Sequence, residues 1–453
     1  MAKSKYLTAP IPSKKMPVGI PYILTNEASE RFSFYGMRCI LVFFMTHLLK
    51  SVSGQLDPMS PEQSKFWFHL FVSVVYFMPL IGALLSDILL AKYKTILFFS
   101  VIYCFGFLSL TLDHTRLGLG VGLVLIAVGS GIIKPCVSAN VGDQFGKTNE
   151  HLLTKVYHWF YFAINLGAFL STFFVPVLLD RYGPTVAFGV PCGFMLLATI
   201  AFWAGRKKFV HIPRGGIKFV KECFSGEGLR ALAKLSIIYV LVAPFWALFD
   251  QIDSSWMLQA EKMNRHLLFF ELKPTQIVAA NPLMIMLLIP VFSYVIYPAI
   301  NKVFPLTALR KVGIGLFVAA LSFVVPALIE TRITAGARPN ILWLILAYLI
   351  LTSAEVMVSI TCLEFSYTQA PKKMKSFIMA VFLLSISLGN AFTAGVNWVM
   401  ERGWLKLAGA SYYWFFVIVM LVTAALFIPV AARYPVRSYI QDEGSGKSGD
   451  QVT

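Results

Sequence analysis

Charge is scarce in this 453-residue sequence: Asp, Glu, Lys and Arg together make up 13% of it, about half the roughly 25% of an ordinary soluble chain. Hydrophobic residues reach 57%, against roughly 45–50% in soluble chains, so a single soluble core is excluded. Cysteine is sparse as well. Cys39, Cys104, Cys136, Cys192, Cys223 and Cys362 show no paired spacing, and five of the six fall inside apolar runs, which excludes a disulfide or zinc framework. No clean apolar signal core follows Lys3, Lys5, Lys14 and Lys15, because Pro and Glu interrupt the segment; no cleaved signal peptide is expected. Clustered acids or His and Cys ligands near an interface, the mark of an intramembrane enzyme, are also lacking. We therefore expect no enzyme, no resident cofactor and no metal.

What the chain has in quantity is long apolar runs. Crossing about 30 Å of hydrocarbon takes roughly 20 helical residues. Twelve such runs stand at 20–49, 66–90, 94–112, 117–141, 155–179, 185–205, 233–257, 276–301, 310–329, 340–366, 375–400 and 411–433. Outer-membrane barrel strands would alternate apolar and polar residues, whereas Ile341 to Leu351 is almost continuously apolar. The fold class read here is all-α: a polytopic membrane protein of twelve transmembrane helices. The net charge of +17 sorts by side. Of the 39 Lys and Arg residues, with span ends counted in the loops, 25 lie in the tails and alternate loops on the N-terminal side. Another 11 lie opposite and three lie within spans, Arg31, Arg38 and Lys134. This bias predicts both termini cytoplasmic in a multi-pass cell (inner) membrane protein, and assigns the basic residues to topology and lipid headgroups rather than nucleic acid.

Six spans precede, and six follow, a basic loop containing Arg206, Lys207, Lys208, Arg214, Lys218, Lys221 and Arg230, broken by Pro213, Gly215, Gly216, Gly226 and Gly228. The predicted organisation is a cytoplasmic N-terminal segment at 1–19, a six-helix bundle at 20–205, a basic linker at 206–232, a second six-helix bundle at 233–433 and a flexible tail at 434–453. Two six-helix halves facing a midplane site are the architecture of the major facilitator carriers. Gly82-Ala-Leu-Leu-Ser-Asp87 followed by Lys92-Tyr-Lys94 resembles the gating signature of that superfamily. Ala91 stands where the usual pattern has Gly, which predicts a looser turn.

The informative residues are ionisable ones at depth, since a charge at a helix centre costs about 2.5–3.5 kcal/mol. Span one carries Glu27, Glu30 and Arg31 within about one helical turn, with Glu27 and Arg31 on one face. Two acids and one base need a further cation or a proton, and Lys134, in Gly129-Ser-Gly-Ile-Ile-Lys-Pro135 of span four, is the natural cation. A Glu that loses its cationic partner in a dry site takes up a proton, which is a physical basis for coupling. In the second half, Glu355 in span ten has no basic neighbour in sequence, and Asp250 is an acid in span seven. A basic first half and an acidic second half suit a short zwitterion. Asn165 and Asn281 need hydrogen-bond partners in apolar helices, either across helices or from a substrate. His69 titrates near neutrality when unperturbed.

At these residues the chain resembles the proton-dependent oligopeptide transporters of the major facilitator superfamily, especially the branch of animal di- and tripeptide carriers. The first-helix pattern stands as Glu27-Ala-Ser-Glu-Arg-Phe-Ser-Phe-Tyr-Gly36, the fifth-helix signature as Phe160-Tyr-Phe-Ala-Ile-Asn-Leu-Gly167 and the tenth as Glu364-Phe-Ser-Tyr-Thr-Gln-Ala-Pro371. The similarity runs from about residue 20 to 433. The resemblance implies a proton-coupling cluster of Glu27, Glu30, Arg31 and Lys134, joined by His69. Arg31 and Lys134 would also meet the peptide carboxylate, and Glu355, Asn165 and Asn281 the amino terminus and backbone. Tyr35, Tyr76, Trp246 and Phe382 fall at pocket positions, and Asp250 is counted with the binding residues.

The function so implied is import of di- and tripeptides with protons by alternating access, in a monomer with the proton as its only coupling ion. The same fold could instead carry nitrate or a modified amino acid, or serve as a peptide receptor. Phe34 replaces the first tyrosine of the family's Tyr-Tyr pair. The 330–340 loop is too short for the extracellular domain of the animal carriers, and the 206–232 loop lacks the extra helix pair of many bacterial ones, so the chain reads as a minimal twelve-helix form.

Overall fold

The computed structural model describes residues 6–212, 216, 226–267, 270–369 and 375–435. Arg214, Lys218, Lys221 and Cys223 of the basic linker, Pro371 of the tenth-helix signature and the tail from 436 onward lie outside the described residues, as does the side chain of Asp87.

Ten helical stretches among the described residues are long and apolar enough to cross a membrane. One of them, Lys155–Lys207, is two crossings. It breaks at Gly183, whose φ of 76° and ψ of −178° suit only a residue without Cβ, and Pro184 starts the next helix where its missing N–H is not needed. The first helix, Ile20–His47, is also long enough to cross and carries Glu27, Glu30, Arg31 and Arg38 within its apolar run. The described segments thus make twelve crossings. They are α1 (Ile20–His47), α2 (Pro61–Leu90), α3 (Lys92–Leu112), α4 (Arg116–Asp143), α5 (153–182), α6 (184–204), α7 (Leu232–Glu261), α8 (Pro274–Val303), α9 (Ala308–Thr334), α10 (Leu342–Ser366), α11 (Lys375–Glu401) and α12 (Ala410–Arg433).

Two of these differ from the sequence expectation. Helix α2 begins at Pro61 rather than 66 because Ser60 caps it: its hydroxyl accepts from the Gln63 N–H at 3.1 Å, with Pro61 in the first turn, a standard helix start. Lys65, counted above as a loop residue, is thereby drawn inside the helix and is only 7% exposed. The α2–α3 turn is not loosened by Ala91. A π turn at Ser86–Leu90 leads into α3 through Ala91 alone, which adopts φ 65° and ψ 147°, a conformation that costs an L residue about 1–3 kcal/mol. The turn is held from outside by an ion pair of Lys92 Nζ to Asp143 Oδ2 at 2.7 Å.

Small residues set the packing of the first half. A Cβ on Gly131 would stand 2.5 Å from the Val75 carbonyl oxygen, and one on Gly129 2.9 Å from that of Phe99; α4 therefore lies directly against α2 and α3. Helix α1 packs along α5 and α6, and in the second half α9 packs on α10 and α12 while α7 packs on α11. The two halves meet most closely where α2 runs along α11.

Candidate transport site

Helix α1 carries the first charged cluster because the 3.6-residue period sets Glu27 and Arg31 on one face. Arg31 Nε lies 2.7 Å from Glu27 Oε1 and 3.3 Å from Glu30 Oε2. Lys134 does not meet these acids directly. Its ammonium donates to Ser130 Oγ at 2.9 Å, and that hydroxyl donates to Glu30 Oε1 at 3.3 Å, so Ser130 relays the cation to the acid. Phe34 lies beneath Lys134, ring centroid to Nζ 3.9 Å, and Tyr76 follows at 5.2 Å. The phenylalanine that departs from the Tyr-Tyr pattern thus supplies a π face to the ammonium.

Across from α1, Glu355 of α10 accepts from the Asn281 amide of α8 at 2.7 Å, and the same amide donates to Thr352 at 3.1 Å. A cavity of about 210 Å³ lies between the two halves. Tyr35, Tyr76, Asn165, Trp246, Asp250, Asn281 and Glu355 all line it. Phe382 does not; it packs edge-on to Tyr239 at 5.7 Å, one turn from the lining residue Ile386. Glu27, Glu30, Arg31 and Lys134 are not among its lining residues; Lys134 stands behind Tyr76, and the cation that lines the cavity itself is Arg38, beside Asp250 and Asp253. The Asn165 amide is spent on the Tyr161 carbonyl at 2.9 Å. Among the described residues, no acceptor meets the buried Trp246 indole N–H. A buried donor normally has an acceptor, so the cavity wall offers one unmet N–H.

A second cluster joins the halves. Arg38 bonds Asp250, and its Nε lies 2.7 Å from Asp253 Oδ2. Asp250 also accepts from the Asn390 amide at 2.5 Å. His69 bridges the same elements, Nδ1 to Asn390 Oδ1 at 2.8 Å and Nε2 to Ser254 Oγ at 2.9 Å. Asp250 is thus 2% exposed and engaged by protein partners, and His69 is wholly buried. Ser387 Oγ donates to the Ser73 carbonyl at 2.8 Å, Gln276 donates to the Phe173 carbonyl at 3.1 Å, and Lys273 pairs with Asp180 at 2.8 Å. These ties between halves run from mid-helix to the end remote from the chain termini.

Asp253, Ser254 and Asn390 were not picked out by sequence reasoning, and Arg38 was noted only as a basic residue within a span, not as a site residue. For Arg38 the signal was present: it follows Arg31 by seven residues, two turns along the same face. Asp253 follows Asp250 by one tight turn, Asp250–Asp253. Asn390 and Ser254 carry no local signal, since their partner His69 is 321 and 185 residues away.

Twelve helical crossings in two halves, enclosing a central cavity lined by Arg38, Asp250, Asp253 and Glu355 with Lys134 behind Tyr76, define a polytopic membrane carrier architecture. The sequence matches the POT family over residues 93–225 and 217–415, and the chain belongs to that family. It is 35% identical to "Peptide transporter family 1" of Drosophila melanogaster over 73% of this chain and 49% of that protein. It is 36% identical to "Solute carrier family 15 member 2" of Rattus norvegicus over 72% of this chain and 50% of that protein. The chain thus spans about half the length of these animal relatives. Among solved structures, the POT family transporter PepTSo superposes with a TM-score of 0.84 at 35% identity, covering 93% of this chain and 99% of that one. An auto-inhibited POT family peptide transporter superposes with a TM-score of 0.83 at 32% identity, covering 94% and 99%.

Proposed function

We propose that this protein imports di- and tripeptides together with protons by alternating access, as a monomer with both termini cytoplasmic and no resident cofactor. The observation that carries the reading is the polarity of the central cavity. Lys134 stands behind Tyr76 of the first half, and Glu355, held by Asn281 at 2.7 Å, lines the cavity from the second. A short zwitterion would set its carboxylate toward Lys134 and Arg31 and its ammonium on Glu355, with a peptide carbonyl accepting the unmet Trp246 N–H. The names of the animal relatives, peptide transporters, support the substrate class. Carriage of an anion such as nitrate is disfavoured by an acid at the position opposite the cations.

In this reading the Arg38–Asp250–His69 cluster seals the external side, and Glu27, Glu30 and Arg31 form the proton-sensitive group next to the substrate carboxylate. The driving forces suffice. A potential of 100 mV supplies about 2.3 kcal/mol per charge and one pH unit about 1.4 kcal/mol. Together they support concentration of a neutral peptide by roughly 500-fold for one proton. The test is counterflow. Liposomes preloaded with unlabelled dialanine should accumulate labelled dialanine without any gradient, and excess nitrate should not compete. Binding without exchange would make the protein a receptor and refute the proposal.

A further inference from the structure

Beyond the central cavity, a second and larger cavity of about 440 Å³ opens between the halves at the end remote from the termini. Its wall on the first half is the start of α2 with the end of α1. Its wall on the second half is the end of α7 with Glu330 of α9. The floor is the sealing cluster: Lys65 stands one turn above His69 on the same face of α2, and Ser255, beside the His69 partner Ser254, is a lining residue.

Among the described residues, Lys65, Glu261 Oε1 and Gln259 Oε1 line this cavity without a hydrogen-bond or ion-pair partner. Lys65 is 7% exposed, and its ammonium lies 4.2 Å over the Tyr412 ring. Among the described residues no carboxylate comes within ion-pairing distance of it. Burying an ammonium costs several kcal/mol unless it is paired, and a π face offsets only about 0.5–2 kcal/mol of that. On the opposite wall, Glu261 keeps one oxygen, Oε2, 3.7 Å from His47 Nε2, while Oε1 is buried with no partner. The neighbouring Glu330 is already satisfied by the Gln259 amide at 2.7 Å and by Lys262 at 3.3 Å. Among the described residues the cavity therefore presents an unpaired cation, Lys65, on the first half, with Glu62 one turn away on the same helix, and a carboxylate oxygen of Glu261 without a hydrogen-bond partner on the second.

We propose that this vestibule is a second binding site for a short zwitterionic peptide, its carboxylate on Lys65 and its ammonium on Glu261. The proposal rests on the peptide reading of the central cavity but assigns a different site. A ligand held by both walls favours the arrangement in which they face each other, and by linkage it shifts the population toward the state closed at this end.

Equilibrium dialysis of the full-length purified protein with labelled dialanine tests it. The wild type should bind two molecules per chain, and Lys65→Gln and Glu261→Gln one each. Lys65→Arg, which keeps the charge, should retain two. One molecule per wild-type chain overturns the vestibular site and leaves the peptide reading standing, whereas none overturns both. Two molecules in both Gln variants overturn the vestibular site. Loss of both molecules in the Gln variants would place Lys65 and Glu261 in support of the central site and equally refute a separate one.

Discussion

The Asn281 amide divides its two hydrogens between Glu355, at 2.7 Å, and Thr352, at 3.1 Å, so α8 fixes the orientation of the one acid that α10 presents to the central cavity. A hydrogen bond to a charged group contributes about 1.5–3 kcal/mol. Glu355→Gln should therefore weaken dialanine binding at the central site by roughly 10- to 150-fold. N-acetylated dialanine, which has no ammonium, should lose little. Competition binding with both ligands reads the difference, and equal losses would remove Glu355 from the ammonium site.

Arg38 holds two buried carboxylates, Asp250 and Asp253. Removing one partner of a buried ion pair costs about 3–5 kcal/mol, and here two acids would be left facing each other. Arg38→Met should shift the protein toward the state open at this end. Spin labels placed at Lys50 and Arg402 should then show a larger share of long distances. An unchanged distribution would mean that the cluster does not set the closed state.

The helices were legible because each is a long apolar run, and even α1 was readable despite its four charges because apolar residues flank them. The start of α2 was not read correctly. Ser60, Pro61 and Glu62 form a capping sequence that outweighs the polar character of Gln63 and Lys65, and the miss hid a buried lysine. Residues close in sequence, such as Glu27 and Arg31, could be paired from helical periodicity alone. The His69–Asn390 and Arg38–Asp250 contacts could not, because they exist only when the two halves dock.

Coupling should separate from binding in the first cluster. Glu27→Gln and Glu30→Gln remove a titrating carboxyl while keeping its shape, the amide standing in for the protonated acid with one acceptor oxygen and a donor. Each should lose uptake driven by a proton gradient and retain dialanine exchange if its carboxyl carries the coupling proton. His69→Ala applies the same test to the buried imidazole. Parallel loss of driven uptake and exchange would instead mark the residue as part of the binding or folding machinery.

Ala91 occupies a backbone conformation, φ 65° and ψ 147°, that glycine adopts without penalty. Ala91→Gly should stabilise the protein by about 1 kcal/mol, raising the thermal midpoint of the detergent-purified chain. Ala91→Val should lower it. A fall in the Gly variant would mean that the helix-end entropy cost of glycine outweighs the relief of strain.

Driven uptake bears most directly on the central claim. Liposomes containing the protein, made acidic outside and negative inside, should accumulate labelled dialanine above its external concentration, and collapsing both gradients should abolish the accumulation. No accumulation under both forces, from protein shown to be folded and inserted, would contradict proton-coupled peptide import.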